Sequence, residues 1–456
     1  MKQTKQKKAE YTSTKNSCKL CAPLGASLVF KGIENTVPLI HGSQGCSTYI
    51  RRYLISHFKE PIDIASSNFS EETAIFGGKK NLETALLNIS KQYSPDLIGI
   101  CSTCLSETIG EDIGLMIKEI QKSPIGVHLP MIVNVSTPSY KGYHADGFND
   151  TVRSLVESLT NSDATDNRLI NILPGMVSPA DIRSIKEIVD SFGLKYVILP
   201  DYSKTLDGPL WTEYQKIPPG GTKIRDIKKM SSAIATIQFG NVLTEQNNAA
   251  KVLQLKHNVK NISMGLPIGV NQTDHFLSVL SKISGKQIPS KYQEERGRLI
   301  DAYADGHKYI FGARAVVYGE EDFVVSMAGF LSEIGITPVL CASGGNSGLL
   351  NDKILEVTRD VDPSEITVCE SSDFVGLEEK AKISQPDFLI GNSKGYKIAE
   401  SLEIPIIRTG FPIHDRFGGS RIKHLGYEGT LDLLDKIINT ILEKNQRING
   451  WGYTYL

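Results

Sequence analysis

The chain has 456 residues, 40% of them hydrophobic and 22% charged, with a formal net charge of −1 and seven cysteines. That length allows roughly two to four domains with ample core, and near-neutrality gives no case for nucleic acid or an anionic membrane as the main partner. No stretch approaches the roughly 20 apolar residues that span a bilayer, and an odd, unevenly spread cysteine set fits a reducing, cytoplasmic setting.

The basic start, Lys2, Lys5, Lys7 and Lys8, precedes no apolar run; it reads as a solvated tail and resembles neither a signal peptide nor a transit peptide. Residues 22–30 suit a short helix, and Val37-Pro-Leu-Ile40 a buried strand that runs into the turn His41-Gly-Ser-Gln-Gly-Cys46. A helix with an aromatic and basic face follows over 47–58, and a second amphipathic helix over 81–92. Asp96-Leu-Ile-Gly-Ile100 is an apolar run behind Pro95, as expected of a buried parallel strand. Its carboxyl end delivers Cys101 and Cys104 onto a loop, where open α/β sheets bind their ligands. Met131-Ile-Val-Asn-Val135 repeats the pattern and ends at Ser136-Thr-Pro-Ser-Tyr140.

A polar stretch over 161–167 reads as a linker. Beyond it, strands at 169–173, 196–199 and 233–239 alternate with a helix at 179–192. After a long helix over 290–310, a third set has strands at 315–318, 337–340, 388–390 and 404–407, a helix at 322–334 and a closing helix at 430–444. Such alternation implies parallel sheets with helices on both faces. It divides the chain into three α/β units: 1–165, which holds the clustered cysteines, 166–310 in the middle, and 311–456 with the closing helix.

Five of the seven cysteines fall within the first 104 residues. Cys18-x-x-Cys21 and Cys101-x-x-Cys104 are two-residue-gap pairs of the kind found in zinc, iron–sulfur and redox sites. Zinc ribbons place the second pair within about 20 residues, far closer than here, and a thioredoxin-like motif leaves Cys46 unexplained. Iron–sulfur clusters accept scattered thiolates gathered by the fold; buried inert cysteines are the plain alternative. Gly77-Gly-Lys-Lys80 and Gly344-Gly-Asn-Ser-Gly348 match no phosphate-binding loop, so this chain is not expected to bind or hydrolyse a nucleotide. Glu71, Glu72, Glu107 and Glu111 read as helix-dipole acids, and His41 as a histidine hydrogen-bonded within its loop. Asp301 and Asp305 share a helical face that is solvated by default.

The runs Pro23-Leu-Gly-Ala26, His41-Gly-Ser-Gln-Gly-Cys46, His57-Phe-Lys-Glu-Pro61, Phe76-Gly-Gly78, Thr103-Cys-Leu-Ser-Glu-Thr108 and Gly410-Phe-Pro-Ile-His-Asp-Arg416 resemble nitrogenase component 1, and within it the β-type chains. Leu206-Asp-Gly208, Gly220-Gly-Thr-Lys223, Pro267-Ile-Gly269, Gly391-Asn-Ser393 and Leu425-Gly-Tyr-Glu-Gly429 extend the resemblance over nearly the whole chain. It implies three Rossmann-like domains per chain and an α2β2 heterotetramer. It also implies an iron–sulfur cluster shared with the α-type partner, and a separate ATP-hydrolysing iron protein that docks over the cluster and delivers electrons. The large molybdenum-type cofactor belongs to the α-type chain.

Two β-type roles are implied. Cys21, Cys46 and Cys104 match the three cysteines with which the catalytic β chain holds the P-cluster, and Ser139 matches its redox-responsive serine. The stretches Cys18-Lys-Leu-Cys-Ala-Pro-Leu-Gly25 and 49–68 resemble more closely the NifN-type chains. Those chains, with a NifE-type α partner, form the scaffold on which the iron–molybdenum cofactor precursor matures, around a 4Fe–4S cluster bound chiefly by the cysteine that Cys46 matches. The scaffold role is the expectation, with Cys18 as an alternative or transient ligand. A catalytic β chain is the alternative; a nitrogenase-like reductase and a zinc-stabilised binding module stand further off. Glu60, Asp301 and Asp305 match residues that hold a cation between two β chains of the catalytic enzyme.

Overall fold

The structure, a computed structural model, describes residues 18–161, 166–245 and 247–449. The basic start and residues 162–165 of the polar linker lie outside the described residues, and the linker's last two residues already belong to a strand.

Among the described residues thirteen strands form three sheets, each parallel throughout. In the first, β1 (Thr36–His41), β2 (Ala65–Ser66), β3 (Leu97–Ser102) and β4 (Met131–Val135) run in the order β2-β1-β3-β4. Every residue of β1 and β3 is buried, as the unbroken apolar runs require of central strands covered on both faces. The second sheet has β5 (Asp166–Leu173), β6 (Lys195–Ile198), β7 (Ala233–Phe239) and β8 (Lys260–Met264) in the order β6-β5-β7-β8. The third has β9 (Arg314–Gly319), β10 (Thr337–Ser343), β11 (Thr367–Cys369), β12 (Phe388–Gly391) and β13 (Ile406–Arg408) in the order β11-β10-β9-β12-β13. One apolar cluster runs from the first sheet through the second to the third, so the units share a continuous core.

Two helices of the first unit position the site. All ten residues of α1 (Ala22–Lys31) are buried, and the helix crosses that of residues His144–Leu159 at a pair of glycines. A Cβ on Gly25 would strike the His144 carbonyl, and one on Gly147 the Ala22 carbonyl. Backbone therefore packs on backbone beside Cys21, the N-cap of α1. The second helix, α2 (Gln44–Phe58), leaves the turn after β1 with Ser43 as N-cap.

Candidate iron–sulfur site

Adjacent parallel strands β1 and β3 pair Ile40 with Cys101 and His41 with Ser102. Their carboxyl ends therefore open side by side, and the loops that follow carry Cys46, in the first turn of α2, and Cys104, which opens a short helix, Cys104–Thr108. Thr103 caps that helix, and its hydroxyl donates to the His41 carbonyl at 3.1 Å. Gly42 is required here, because a Cβ would run into the Thr103 side chain. Next door, the Ser102 hydroxyl receives the Thr137 N–H at 2.7 Å and donates to Glu107 at 2.6 Å, while Ser136 also donates to Glu107. The segment after β4 is thereby latched to the end of β3.

That latch delivers Ser139. Its Oγ accepts the Ala22 N–H at 3.1 Å and its own N–H donates to Cys104 Sγ at 3.2 Å. Its side chain also hydrogen-bonds the Cys21 thiol. Ser139 thus stands between Cys21 and Cys104. Ser43 Oγ lies 3.6 Å from Cys46 Sγ. Burial pushes the Cys21 thiol up, the bond to Ser139 pulls it down, and negative charge on Cys104 and Cys46 pushes it up again. Thiols from two other loops thus bear on Cys21 electrostatically, and positive charge placed beside it would relieve that repulsion. Cys21 and Cys46 are half-buried and Cys104 is exposed, so the donors open to the surface, as a group completed by a second chain requires.

A family described as nitrogenase component 1 type oxidoreductase matches residues 21–442. The chain belongs to the nitrogenase component 1 family. It is 36% identical over 432 residues to the nitrogenase molybdenum–iron protein β chain of Clostridium pasteurianum, covering 95% of this chain and 94% of that one. It is 34% identical over 433 residues to the iron–molybdenum cofactor biosynthesis protein NifN of Bradyrhizobium diazoefficiens, covering 94% and 89%. Among solved structures, nitrogenase Cp1 at pH 6.5 superposes with a TM-score of 0.91 at 35% identity, over 97% of this chain and 96% of that one. The α/β architecture of parallel sheets flanked by helices is that of component 1.

Within this component 1 chain each Cys-x-x-Cys pair is split. Cys18 is buried in the third unit among Val316, Tyr318, Leu340, Cys369 and Phe374, and burial pushes its thiol up to about 12. Cys101 is fully buried behind α1, likewise pushed up to about 12 and hydrogen-bonded with Ser27. Neither bears on Cys21, whereas Cys46 and Cys104 both do. Glu111, read from sequence as a dipole acid, instead bonds the buried His41 Nε2 at 2.6 Å and receives the Gly78 N–H. Glu71 and Glu72 do occupy a first helical turn, behind the Ser70 cap.

Glu60 follows α2 near Asp207, Gly208 and Arg421, and partial burial raises its carboxyl. Asp301 and Asp305 are exposed on the helix Ser290–Ile310. Among the described residues no three His, Cys, Asp or Glu side chains gather around a single ion position. That holds for Glu60 with the two aspartates, and for the three cysteines.

Two residues near the thiols escaped the sequence reading. Lys394, half-buried, follows β12, and its Nζ lies 5.8 Å from the Tyr53 ring. Its charge bears on Cys18 and Cys21, and burial lowers its pKa. Tyr49 leans against Tyr53 with ring centroids 4.6 Å apart and the planes tilted by 48°. The only sequence signal for Lys394 was its place directly after Gly391-Asn-Ser393.

Proposed function

We propose that this β-type component 1 chain is a subunit of the scaffold complex on which the iron–molybdenum cofactor precursor matures. In this reading it holds an iron–sulfur cluster at the interface with a NifE-type α partner and receives electrons from the iron protein. The observation that carries the cluster is the convergence of Cys21, Cys46 and Cys104, with Ser139 between two of them, at the carboxyl ends of β1 and β3. Thiolates are the donors that iron–sulfur centres take. Thiols set apart, and not crowded on one point, suit several irons better than one tetrahedral zinc. When bound, the cluster supplies one-electron transfer. Cys21, Cys46 and Cys104 would ligate it, Ser139 would orient two of those ligands, and Lys394 would offset their charge. The exposed side of Cys104 leaves room for the partner's thiolates.

Component 1 β chains pair with α chains in heterotetramers and work with the iron protein. Cys18-Lys-Leu-Cys-Ala-Pro-Leu-Gly25 and the stretch 49–68 support the NifN-type role within that frame. The second reading, a catalytic β chain carrying the P-cluster, is favoured by the full set of three cysteines with Ser139 and by the Clostridium relative. Co-purification with each type of α partner, followed by acetylene and dinitrogen reduction assays, separates them. A complex with the NifE-type partner that contains iron and acid-labile sulfide yet reduces neither substrate supports the scaffold, and robust turnover overturns it.

The division at 165/166 and 310/311 is proposed as the domain structure, supported by each sheet lying inside one interval. We also read Glu60, Asp301 and Asp305 as cation ligands contributed by two β-type copies, since one chain does not bring them together. The seven cysteines are all free thiols, in keeping with a reducing cytoplasm, and among the described residues no helix is long and apolar enough to cross a membrane.

A further inference from the structure

Away from the cluster site, β11 forms an edge of the third sheet and ends at Cys369. The helix Phe374–Ser384 packs beside it and carries Lys380 on an exposed face. The Lys380 Nζ is 2.9 Å from Cys369 Sγ. An exposed ammonium ordinarily faces water or a carboxylate, yet among the described residues Lys380 has no carboxylate within ion-pair distance. The neighbouring Glu378 is taken by Lys382 at 2.7 Å and by Ser401 at 2.8 Å. Cys369 is 7% exposed, so its sulfur lies just under the surface, whereas Cys101 and Cys341 are at 0%. Amine and sulfur are thus in contact at the rim of the molecule, and a small swing of the flexible Lys380 side chain joins them.

We propose that Cys369 and Lys380 form an oxidation-sensitive pair that cross-links when the chain meets hydrogen peroxide. In the first step the sulfur attacks a peroxide oxygen, the O–O bond breaks, and sulfenic acid and one water result. In the second, the Lys380 amine, having lost its ammonium proton to solvent, attacks the sulfur. The S–O bond breaks, the departing hydroxide takes the nitrogen's proton, and a sulfur–nitrogen bond and a second water are left. The balance is thiol plus amine plus peroxide to sulfenamide plus two waters, with sulfur oxidised and peroxide reduced. A first thiol breaks the sulfur–nitrogen bond, freeing the lysine and leaving a mixed disulfide. A second thiol releases Cys369 and leaves as a disulfide with the first, so capture by Lys380 keeps Cys369 from the irreversible sulfinic acid. The pair is tied to the segment that leads into Cys21, because the Ser372 carbonyl, two residues past the following Glu370, accepts the Cys18 N–H at 3.2 Å.

The test is peptide mapping of the chain in complex with its α partner after limited peroxide treatment. Trypsin needs a free lysine ammonium, and the peptide that starts at Asp360 contains Cys369 and ends at Lys380. The expected result is loss of cleavage after Lys380. The peptide then runs on to Lys382 with two hydrogens fewer, and dithiothreitol reverses the change. Complete cleavage after Lys380, or a linked peptide that retains an oxygen, overturns the proposal. In Lys380→Gln, a surface change that leaves the fold intact, Cys369 should label with dimedone and proceed to sulfinic acid, whereas the unaltered chain should not; equal labelling in both also overturns it.

Discussion

At the scale of single residues, Cys46 and Cys341 make a controlled comparison. Cys46 is a half-buried thiol in the first turn of α2, and Cys341 a fully buried one inside β10 whose thiol faces the Pro338 carbonyl. Cys46→Ala should lose most of the cluster iron, measured by iron and acid-labile sulfide on anaerobically purified complex, while Cys341→Ala keeps it. Ser139→Ala removes the acceptor for the Ala22 N–H and the hydroxyl beside Cys21. It should leave iron content near normal and shift the cluster's midpoint potential and electron paramagnetic resonance signal; an unchanged potential and signal would detach Ser139 from the site. Residue types and spacing gathered five cysteines as candidates, and only the resemblance to β-type chains singled out Cys21, Cys46 and Cys104. Which member of each Cys-x-x-Cys pair lies beside Ser139 was not legible in the spacing itself. Cys18 and Cys101 differ from their partners only in the packing around them, one against Tyr318 and Phe374, the other behind α1. Lys394 was hidden for the same reason, since tertiary contact alone brings a lysine of the third unit to a loop of the first.

At the scale of elements, the crossing of α1 with the helix His144–Leu159 holds Cys21 in place. Gly25→Ala forces a methyl into the His144 carbonyl, where the obstacle is backbone and cannot swing aside. Overpacking of this kind costs about 1–3 kcal/mol, and the displaced N-terminus of α1 carries Cys21 with it. The variant should show a lower midpoint of denaturation and a reduced iron content, whereas Gly285→Ala, at a helix end with nothing near its Cβ, should lose stability through its positive φ alone and keep its iron. Long apolar strands such as β1, β3 and β7 were legible because both faces are covered. The three-residue β11 and the half-exposed β8 were not, because neither shows an apolar run long enough to stand out. The helix His144–Leu159 was also missed: it starts at an aromatic N-cap and contains Gly147, a weak helix former. The strand expected from Ile404 starts only at Ile406, since Pro405 has no N–H to give a ladder.

At the scale of the whole molecule, the three units are joined by carboxyl groups as well as by apolar core. Asp322, at the start of the helix Glu321–Glu333, receives the N–H groups of Asn241 and Val242 from the middle unit. Asp181, on the helix Pro179–Ser191, receives those of His424 and Leu425 from the third. Glu321 receives the Ser347 N–H and hydroxyl, and its own N–H meets the Tyr143 hydroxyl of the first unit. Burial pushes the Glu321 carboxyl up to about 7, with Glu370 and Asp146 adding to the rise. The sign of the pH effect follows from that direction. Between the ordinary carboxylate range and about 7 the folded chain keeps a proton that the unfolded chain has released, so raising the pH through this window lowers stability. A glutamine keeps the amide oxygen that accepts from Ser347 and has no proton to lose. Glu321→Gln should therefore flatten the decline, making the variant ~1–3 kcal/mol more stable than the unaltered chain above neutrality and nearly equal to it in mild acid. Denaturant melts across that range check this: parallel curves for the two proteins would show that Glu321 ionises in the folded chain as it does in the unfolded one.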